Sequence, residues 1–527
     1  AIGNPVTIGK IEGEWRGLQP SIKLIDFRIL DAQKQAALVL PGISTRVSWK
    51  TLLAGELRLA SIEIEGAELL IQRDAGGKIF VAGIPISTQG GNSRLSNWLL
   101  RQPHLSANNA LVVWVDDMRA ASALVLQQVS VRVENSLTRH RLSLRALPPE
   151  ELATPLDIRG EFHGSDVSKL SEWEGQVFTQ IDYTDVSAWK AWLNLPREFS
   201  RGRGALRGWA GVQDGKLASI TADLDLHDVT TTLGDDVPEM VLLDLRGRAS
   251  WKAVEGGLEI ATKNLAMRMQ DGVELSPTDF YFRTSQSVQS ENAEKPASNE
   301  LRANVLQFET LVSLANFLPL DASLRSQLDS YGPRGSVTDL NAQWQGTVNQ
   351  PISYTIKGKF TNLALRQVSE LPGFMGLSLE IDGSEQEGSA TIDTQNLIVD
   401  APKIMREPLF FDRATGRINW RREGDEVVVH LHEGALENSD LAGQVQASYT
   451  TQAGTMGLLD FDARLTRADL RSAARYTPLN GLNQQGGDWL SSALLAGQSE
   501  DFRVRIQANL SDFPLHKNSD ALFKIGG

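Results

Sequence analysis

Two segments of the chain alternate apolar and polar side chains with a period of two residues over most of their length. Their apolar members are Ile220, Ala222, Leu224 and Leu226 in the first segment and Phe502, Val504, Ile506, Ala508 and Leu510 in the second. A third, shorter segment repeats the pattern with Phe461, Ala463 and Leu465. Successive side chains of a strand point to opposite faces, so each segment predicts a strand with one apolar and one charged face.

Strand patterns of this kind run along the whole chain and are separated by short turns. Gly76-Gly77, Asp214-Gly215, Asp271-Gly272 and Asp382-Gly383 are dipeptides typical of tight turns between alternating runs. Such turns indicate consecutive antiparallel hairpins, and most of the spacings leave no room for a crossover helix. The sequence therefore predicts a mainly β protein and makes a parallel α/β sheet unexpected.

A few short helices are predicted at related places, each after a strand. Apolar residues share one helical face near 186–195 and again near 311–318, and a third run begins at Leu470. Each run leads into an X-Pro step, at which helical geometry is disfavoured. An alternating strand follows in all three places, which indicates a repeated strand–helix–meander unit.

This repetition predicts four segments: 1–184, 185–310, 311–469 and 470–527, the last being the start of a further unit. Residues 285–299 read SQSVQSENAEKPASN and contain almost no apolar side chains. Such a stretch buries too little surface to offset its ordering entropy, so we expect a mobile loop there. If some 30 strands formed one sheet, it would extend to roughly 140 Å at the usual strand spacing.

Composition removes several classes of function. Asp and Glu number 65 against 52 Lys and Arg, a net charge of −13, which argues against nucleic acid as a partner. The chain has no cysteine, which excludes disulfides and thiolate chemistry. No apolar run approaches the roughly 20 residues of a membrane-spanning helix. The first residue is Ala1, so we expect the chain to be part of a longer or processed protein.

No catalytic, cofactor or metal motif is recognisable, so the sequence predicts a protein that is not an enzyme. His430 and His432 share one strand face, as two ligands of a metal site would, but no third ligand is apparent. The solvent-exposed face of an amphipathic strand is the simpler explanation, and we favour it over a metal site. The tryptophans, among them Trp209, Trp344 and Trp420, are interpreted either as core anchors or as rings at a lipid interface.

Residues 371–513 resemble the AsmA-like proteins, in particular the long YhdP branch. The resemblance lies in the strings LPGFMGLSLEIDGSEQEGSATI, DAPKIMREPLFFDRATGRINW, LENSDLAGQVQASY and DWLSSALLAGQSEDFRVRIQANLSDFP. The opening IGKIEGEWRGLQPSIKLIDFRIL is similar to the start of the soluble region in that branch. The similarity is loose between about 90 and 300, and no string contains a catalytic motif.

The resemblance implies a periplasmic protein of a Gram-negative envelope, anchored in the inner membrane by a segment that this chain lacks. It implies an elongated, twisted antiparallel β-sheet that forms a taco-like apolar groove and carries phospholipids between the two membranes. Contact with the outer membrane would come from a C-terminal part that is also outside this chain.

On this basis we expect the apolar members of the three segments to line the groove. They are Ile220, Ala222, Leu224, Leu226, Phe461, Ala463, Leu465, Phe502, Val504, Ile506, Ala508 and Leu510. Burial of each acyl CH₂ contributes about 0.8 kcal/mol, and neighbouring positions would be nearly equivalent, so a lipid could slide. Two alternatives remain open: a structural scaffold whose closed β core binds proteins, and a surface-acting hydrolase.

Overall fold

A computed structural model of the protein describes most of the chain. The described residues are 6–17, 19–30, 36–49, 51, 58–81, 84–86, 101–192, 199–286, 288–290, 293–346, 351–369, 371–402, 405, 407–477, 492, 494–512 and 521–526. The chain forms two compact units. The first consists of Ala1–Ala253 and Thr262–Pro277, the second of Val254–Ala261 and Thr278–Gly527.

Strands dominate the first unit. In chain order they are β1 (Val6–Arg16), β2 (Gln19–Leu30), β3 (Ala36–Val47), β4 (Leu59–Glu65), β5 (Glu68–Arg73), β6 (Ile79–Val81), β7 (Ile84–Ile86), β8 (His104–Asp116), β9 (Leu124–Asn135), β10 (Arg139–Leu147), β11 (Leu156–His163), β12 (Glu174–Asp185), β13 (Phe199–Gln213), β14 (Lys216–Thr231) and β15 (Met240–Val254). The next two, β16 (Gly257–Met269) and β17 (Glu274–Thr278), have residues in both units. From β8 to β15 each strand pairs antiparallel with the next.

The second unit is built in the same way. Its strands are β18 (Phe280–Ser285), β19 (Val288–Ser290), β20 (Ala293–Lys295), β21 (Ser298–Gln307), β22 (Arg334–Gly346), β23 (Pro351–Leu365), β24 (Gly373–Ser384), β25 (Glu387–Asp400), β26 (Leu409–Glu423), β27 (Glu426–Glu437), β28 (Leu441–Thr450), β29 (Leu458–Asp469), β30 (Gln498–Ser499), β31 (Phe502–Asn509) and β32 (Leu522–Gly526). From β21 to β29 consecutive strands pair antiparallel, and β31 and β32 continue the order. The mainly β, antiparallel class predicted from the sequence is confirmed.

One local pairing differs from the expected succession of hairpins. Strands β4 and β5 both run parallel to β8. A parallel pair needs a connection of a dozen or more residues, and the long segment between β7 and β8 provides it. Turn residues in the sequence show where a strand ends, but they do not show with which distant strand it pairs.

Two α-helices occur in the described residues, α1 (Phe308–Ala315) and α2 (Ala322–Tyr331). Helix α1 lies near the predicted 311–318 but starts earlier. Helix α2 was not predicted, although Leu324, Leu328 and Tyr331 recur on one of its faces; they are half-buried, and no residue of the helix is fully buried. No helix in the described part of the chain has the length and apolar character needed to cross a membrane.

The other predicted helices are short turns of 3₁₀ helix. Ala188–Ala191 forms one near the predicted 186–195, and residues 193–198 lie outside the described part. Leu470–Ser472 forms another. The segment 285–299, predicted as a mobile loop, contains the small β19–β20 ladder and the start of β21. Its mobility and the four-segment division stay predictions.

Several strands contain a non-glycine residue with left-handed backbone geometry. These left-handed strand residues are Asp26, Asn109, Gln128, Asp228, Asn264, Asp339, Asn362, Asn396 and Glu433. Most are Asn or Asp, the non-glycine types that tolerate this region best. Glycines approach the carbonyl oxygens of three of them: a Cβ on Gly335 would lie 2.5 Å from that of Asn362, one on Gly376 2.6 Å from that of Asn396, and one on Gly247 2.5 Å from that of Asn264.

Each left-handed residue shifts the phase of the apolar alternation. In β14 the inward residue Leu226 is followed by Val229, with Asp228 between them. The pairing of β14 with β13 shifts close to the same point, between Arg201 and Arg203. A β-bulge bends its strand and raises the local twist. The shift therefore keeps apolar side chains on the inside while the strand changes direction.

Candidate functional site

The left-handed residue divides a strand into a long limb, which ends at a short hairpin turn, and a short limb on the other side. In β14 the long limb is 216–227 and the short limb is 229–231. In β23, β25 and β27 the long limbs are 351–361, 387–395 and 426–432. The two limbs differ in burial, and that difference defines the candidate site.

Short-limb apolar residues form closed cores. In the first unit Val229 is 0% exposed, and Leu242, which faces it from β15, is 2% exposed. In the second unit Leu397, Phe411 and Leu441 belong to one buried cluster with Leu465. The sequence interpretation missed these residues. The broken alternation at Leu226–Val229 was the available signal.

Apolar residues on the long limb of β14 become less buried toward the hairpin turn. Leu226, close to Asp228, is 4% exposed, Ala222 and Leu224 are half-buried, and Ile220 is 42% exposed. Other long limbs are mixed, since Ala390 on β25 is buried and Ile352 on β23 is exposed. A second layer packed over the β14 row would remove Ala222 and Leu224 from water altogether. The part of the β14 long limb near the turn therefore presents an apolar face that no part of the described chain seals.

The structure separates the twelve residues expected to line the groove into two groups. The four on β14 lie in the first unit and the other eight in the second. Seven are half-buried: Ala222, Leu224, Phe461, Phe502, Val504, Ile506 and Leu510. Four are buried: Leu226, Ala463, Leu465 and Ala508. Ile220 is the exposed member.

Cross-strand register places six of these residues side by side on β29 and β31. Phe461 pairs with Ile506, Ala463 with Val504, and Leu465 with Phe502. Leu510 departs from the prediction, because it follows the end of β31 and begins the 3₁₀ turn Leu510–Asp512. It therefore lies outside the strand alternation, although it is half-buried. Whether the residues contact lipid stays a prediction.

Small residues flank part of the β14 row. Ala222 lies opposite Gly208 on β13 and Ala249 on β15, and Leu224 lies opposite Leu206 and Gly247. Glycine is required at 247 by the close approach of β16, because a Cβ there would lie 2.5 Å from the Asn264 carbonyl oxygen.

A polar network holds a cap over the closed core of the second unit. The Asn438 side chain donates a hydrogen bond to the Tyr476 hydroxyl at 2.8 Å and accepts one from the Leu441 backbone N–H at 2.9 Å. Arg475 forms an ion pair with Asp440. Burial raises the pKa of the Tyr476 hydroxyl above its ordinary value. Tyr476 packs against the cluster that contains Leu465, so this end of the apolar face is covered.

The opposite face of each sheet, called the outer face here, carries the charged residues. Arg248 on β15 donates two hydrogen bonds to Asp223 on β14, at 2.5 and 2.9 Å. These bonds lower the pKa of the Asp223 carboxyl. Arg505 on β31 likewise bridges Asp460 and Asp462 on β29. Cross-strand ion pairs thus keep the outer face hydrated and the strands in register.

The histidine pair lies on this outer face. His430 and His432 are exposed, and their rings stack with centroids 5.6 Å apart. Among the described residues no group of three or more His, Cys, Asp or Glu side chains is arranged to hold a metal ion. The exposed strand face is the interpretation that their positions support.

Comparison with known proteins identifies relatives over the full length. The model of the YhdP family, described as YhdP protein, matches residues 1–527. The Escherichia coli (strain K12) protein named intermembrane phospholipid transporter YhdP is 22% identical over 564 residues. That alignment covers 100% of this chain and 41% of the relative, so the chain spans about two fifths of the relative's length. No solved structure matches the chain significantly.

Proposed function

The chain belongs to the YhdP family, and we propose that it carries phospholipids with their acyl tails on the long-limb apolar face. The matched relative is named as an intermembrane phospholipid transporter, which supports the same cargo for this chain. The role requires no chemical step, so it needs no catalytic residue, cofactor or metal.

The half-buried state of the long limbs is the observation that carries the proposal. Leu224 on the long limb of β14 lies between two aspartates and is half-buried, and Ile506 on the undivided strand β31 is half-buried too. An unpartnered apolar surface of more than a few hundred Å² is typical of a binding site. Alkyl chains suit it, because the strand backbone is already hydrogen-bonded within the sheet and leaves only apolar side chains to be covered.

Headgroups belong at the rim near the hairpin turns. Ile220 is 42% exposed there, whereas Leu226, six residues along the same strand, is 4% exposed. A phosphate would lose several kcal/mol if it were buried without partners. The exposure gradient therefore orients a lipid with its tails toward the short limb and its headgroup toward the turns.

Movement along the face needs no strong site. Each buried CH₂ contributes about 0.8 kcal/mol wherever it lies, so neighbouring rows hold a tail with similar free energy. Specific polar contacts would trap a lipid at one position. The long-limb members of the predicted lining set are all apolar, as this movement requires.

The envelope scaffold with a closed core is less well supported. A scaffold core would be buried along whole strands, as Val229 and Leu242 are in the short limbs. Ala222 and Leu224 on the long limb of β14, and Phe461 on β29, do not share that burial.

Location and membrane contacts belong to the same proposal. The chain would work in the periplasm of a Gram-negative envelope, tethered to the inner membrane and reaching toward the outer one. Because the chain spans 41% of its relative, bridging both membranes would need further parts of the protein.

Native mass spectrometry of the purified chain tests the proposal. We expect phospholipids to co-purify in more than one copy per chain and to be removed by detergent without unfolding. Vesicles with a photo-crosslinkable acyl chain would then label long-limb residues and spare Thr221 and Asp223 on the outer face. A lipid-free chain with no labelling of the long limbs would refute the proposal.

A further inference from the structure

Two tryptophans in the described part of the chain are exposed, and both belong to the region of the first three strands. Trp15, near the end of β1, is 69% exposed, and Trp49, two residues after the end of β3, is 52% exposed. The other eight described tryptophans are half-buried. A tryptophan ring is a large apolar surface, so two exposed rings in one part of the fold indicate a contact surface.

Strand register places both rings at the same rim of the first unit. Strands β1 and β3 each pair antiparallel with β2, so they run in the same direction and end at the same side of the sheet. Trp15 pairs with Pro20, and the next residue of β2, Ser21, pairs with Arg46 near the end of β3. The strands that carry the two rings are about 10 Å apart.

Exposed aliphatic side chains extend the surface around the rings. Ile11 is 63% exposed and lies on the same face of β1 as Trp15, four residues away. Gly13 lies between them and pairs with Ile22 on β2, which is also exposed. Ile11, Trp15, Ile22 and Trp49 are called the rim patch here.

The rim patch is the open end of an apolar row that is closed further into the first unit. Ile11 on β1 pairs with Leu24 on β2, which pairs with Ile43 on β3. Leu24 is half-buried, and Ile43 belongs to a buried cluster. Within the described residues β1 has no strand on its other side. The core around Ile43 is thus closed without the rim patch, which stays available for a partner.

Basic residues accompany the rim patch. Each exposed tryptophan is followed in the sequence by a basic residue, Trp15 by Arg16 and Trp49 by Lys50. Residues 1–50 contain seven Lys or Arg against four Asp or Glu, whereas the whole chain has 52 against 65. This part of an acidic chain therefore carries a net positive charge, which is complementary to an anionic surface.

We propose that the rim patch binds to the surface of a phospholipid bilayer that contains anionic lipids. Tryptophan rings are enriched at the headgroup level of bilayers, and Lys and Arg beside them are attracted by anionic headgroups. A strand added to the free edge of β1 would cover Ile11 but would not reach Trp49, which lies two strands further into the sheet. A bilayer surface is broad enough to contact both rings. The inference goes beyond lipid carriage, because it needs no lipid in the β14 row.

Flotation of the whole chain with vesicles of phosphatidylethanolamine and phosphatidylglycerol tests the inference. We expect the chain to float with these vesicles, and less with vesicles of phosphatidylcholine alone. The double variant Trp15→Ala, Trp49→Ala removes two rings that the bilayer would cover, so its partition coefficient should fall by at least about tenfold. Ile352→Ala, which removes a 70% exposed side chain from the second unit, is the matched control and should float like the parent chain.

A separate variant distinguishes this contact from lipid carriage. Leu224→Asp should lose lipid from the β14 row and still float with the vesicles, because Leu224 is not part of the rim patch. Loss of lipid carriage would therefore leave the bilayer contact standing, and loss of the contact would leave lipid carriage standing.

Quenching by brominated lipids decides the matter even if the alanine variant fails to fold. Bromine on the acyl chains quenches the fluorescence of tryptophans that contact them. The double variant Trp15→Phe, Trp49→Phe should float normally but show less quenching than the parent chain, although ten tryptophans remain. The inference is overturned if the parent chain does not float, if anionic lipid makes no difference, if the alanine variant floats as well as the parent, or if quenching is the same in the phenylalanine variant.

Discussion

Two leucine substitutions test whether the proposed lipid-binding face is open or part of a closed core. Leu224 is half-buried on the long limb of β14, whereas Leu242 on β15 is 2% exposed and faces Val229. Full burial of a leucine contributes about 1.5–3 kcal/mol. Leu224→Asp forfeits roughly half of that, and its carboxylate still reaches water, so the free energy of unfolding should fall by about 1–2 kcal/mol.

Leu242→Asp should be far more costly. It loses the whole burial term and places a charge where water and partners are absent, a penalty of at least several kcal/mol. Domains of this kind have total stabilities of about 5–15 kcal/mol, so we expect the first unit to unfold in this variant. Urea unfolding followed by near-UV circular dichroism measures both effects.

The same pair of variants predicts different lipid contents. If the carboxylate of Leu224→Asp keeps two CH₂ groups off the face, binding weakens by about 1.6 kcal/mol, or roughly fifteenfold in affinity for that position. Thr221→Asp, three residues earlier and on the outer face, is the matched control and should keep its lipid. The reasoning fails if Leu224→Asp folds and retains all its lipid, or if it unfolds as completely as Leu242→Asp.

Three further predictions concern the framework. The hydrogen bonds from Arg73 lower the pKa of the Asp116 carboxyl, so the ionised group stabilises the fold above about pH 4, and this stabilisation is lost as the pH falls through the lowered pKa. Asp116→Asn should therefore flatten the acid limb of a pH–stability profile, and an unchanged limb would contradict this. Asp228→Val should lower the free energy of unfolding by about 1–2 kcal/mol, because valine is strained in the left-handed backbone conformation, whereas Asp228→Gly should lower it little. Equal losses in urea unfolding would show that backbone strain does not matter at this position. Asn438→Ala should lower the free energy of unfolding by about 2–3 kcal/mol, because it leaves buried partners without hydrogen bonds. The control Asn341→Ala, at an exposed position, should change it by no more than about 0.5 kcal/mol, and similar losses in the two variants would show that the network does not stabilise the fold.

The strand content was predictable because a period of two is a local signal. Ile220 to Leu226 and Phe502 to Ala508 lie on β14 and β31 as expected. Helix α1 was placed within a few residues because its buried residues include Leu314 and Ala315. Helix α2 was missed although Leu324, Leu328 and Tyr331 lie at helical spacing, because this apolar stripe is short and polar residues separate its members.

The division into limbs is visible in the sequence as a break in the apolar alternation, which the strand prediction did not take into account. After Leu226 the alternation resumes at Val229, and the residue that absorbs the shift is Asp228. A break in phase at an Asn or Asp inside a strand predicts a bulge. Depth of burial is different, because the sequence shows which side is apolar and tertiary packing decides whether another layer covers it. The open state of Leu224 and the closed state of Leu242 therefore needed the structure.

The ring pair of Phe178 and Trp209 shows the same limit. The sequence interprets Trp209 as a core anchor or an interfacial ring, since a tryptophan between small residues carries no sign of the face it lies on. Its face follows from register, because Trp209 pairs with Phe178 on β12 and with Thr221 on β14. The pairing of β12 with β13, which the sequence alone does not show, brings the two rings together.

The left-handed residues explain how one strand can both stabilise the fold and expose an apolar surface. A strand that kept one phase would face a single environment, either sealed or open, along its whole length. At Asp228 the phase shifts, so that Val229 enters a closed core while Leu224 stays on an open face. Stability then comes from the short limbs and from ion pairs such as Asp223–Arg248 on the outer face. Lipid tails on the long limb of β14, as proposed, would therefore exchange without disturbing the closed core around Val229.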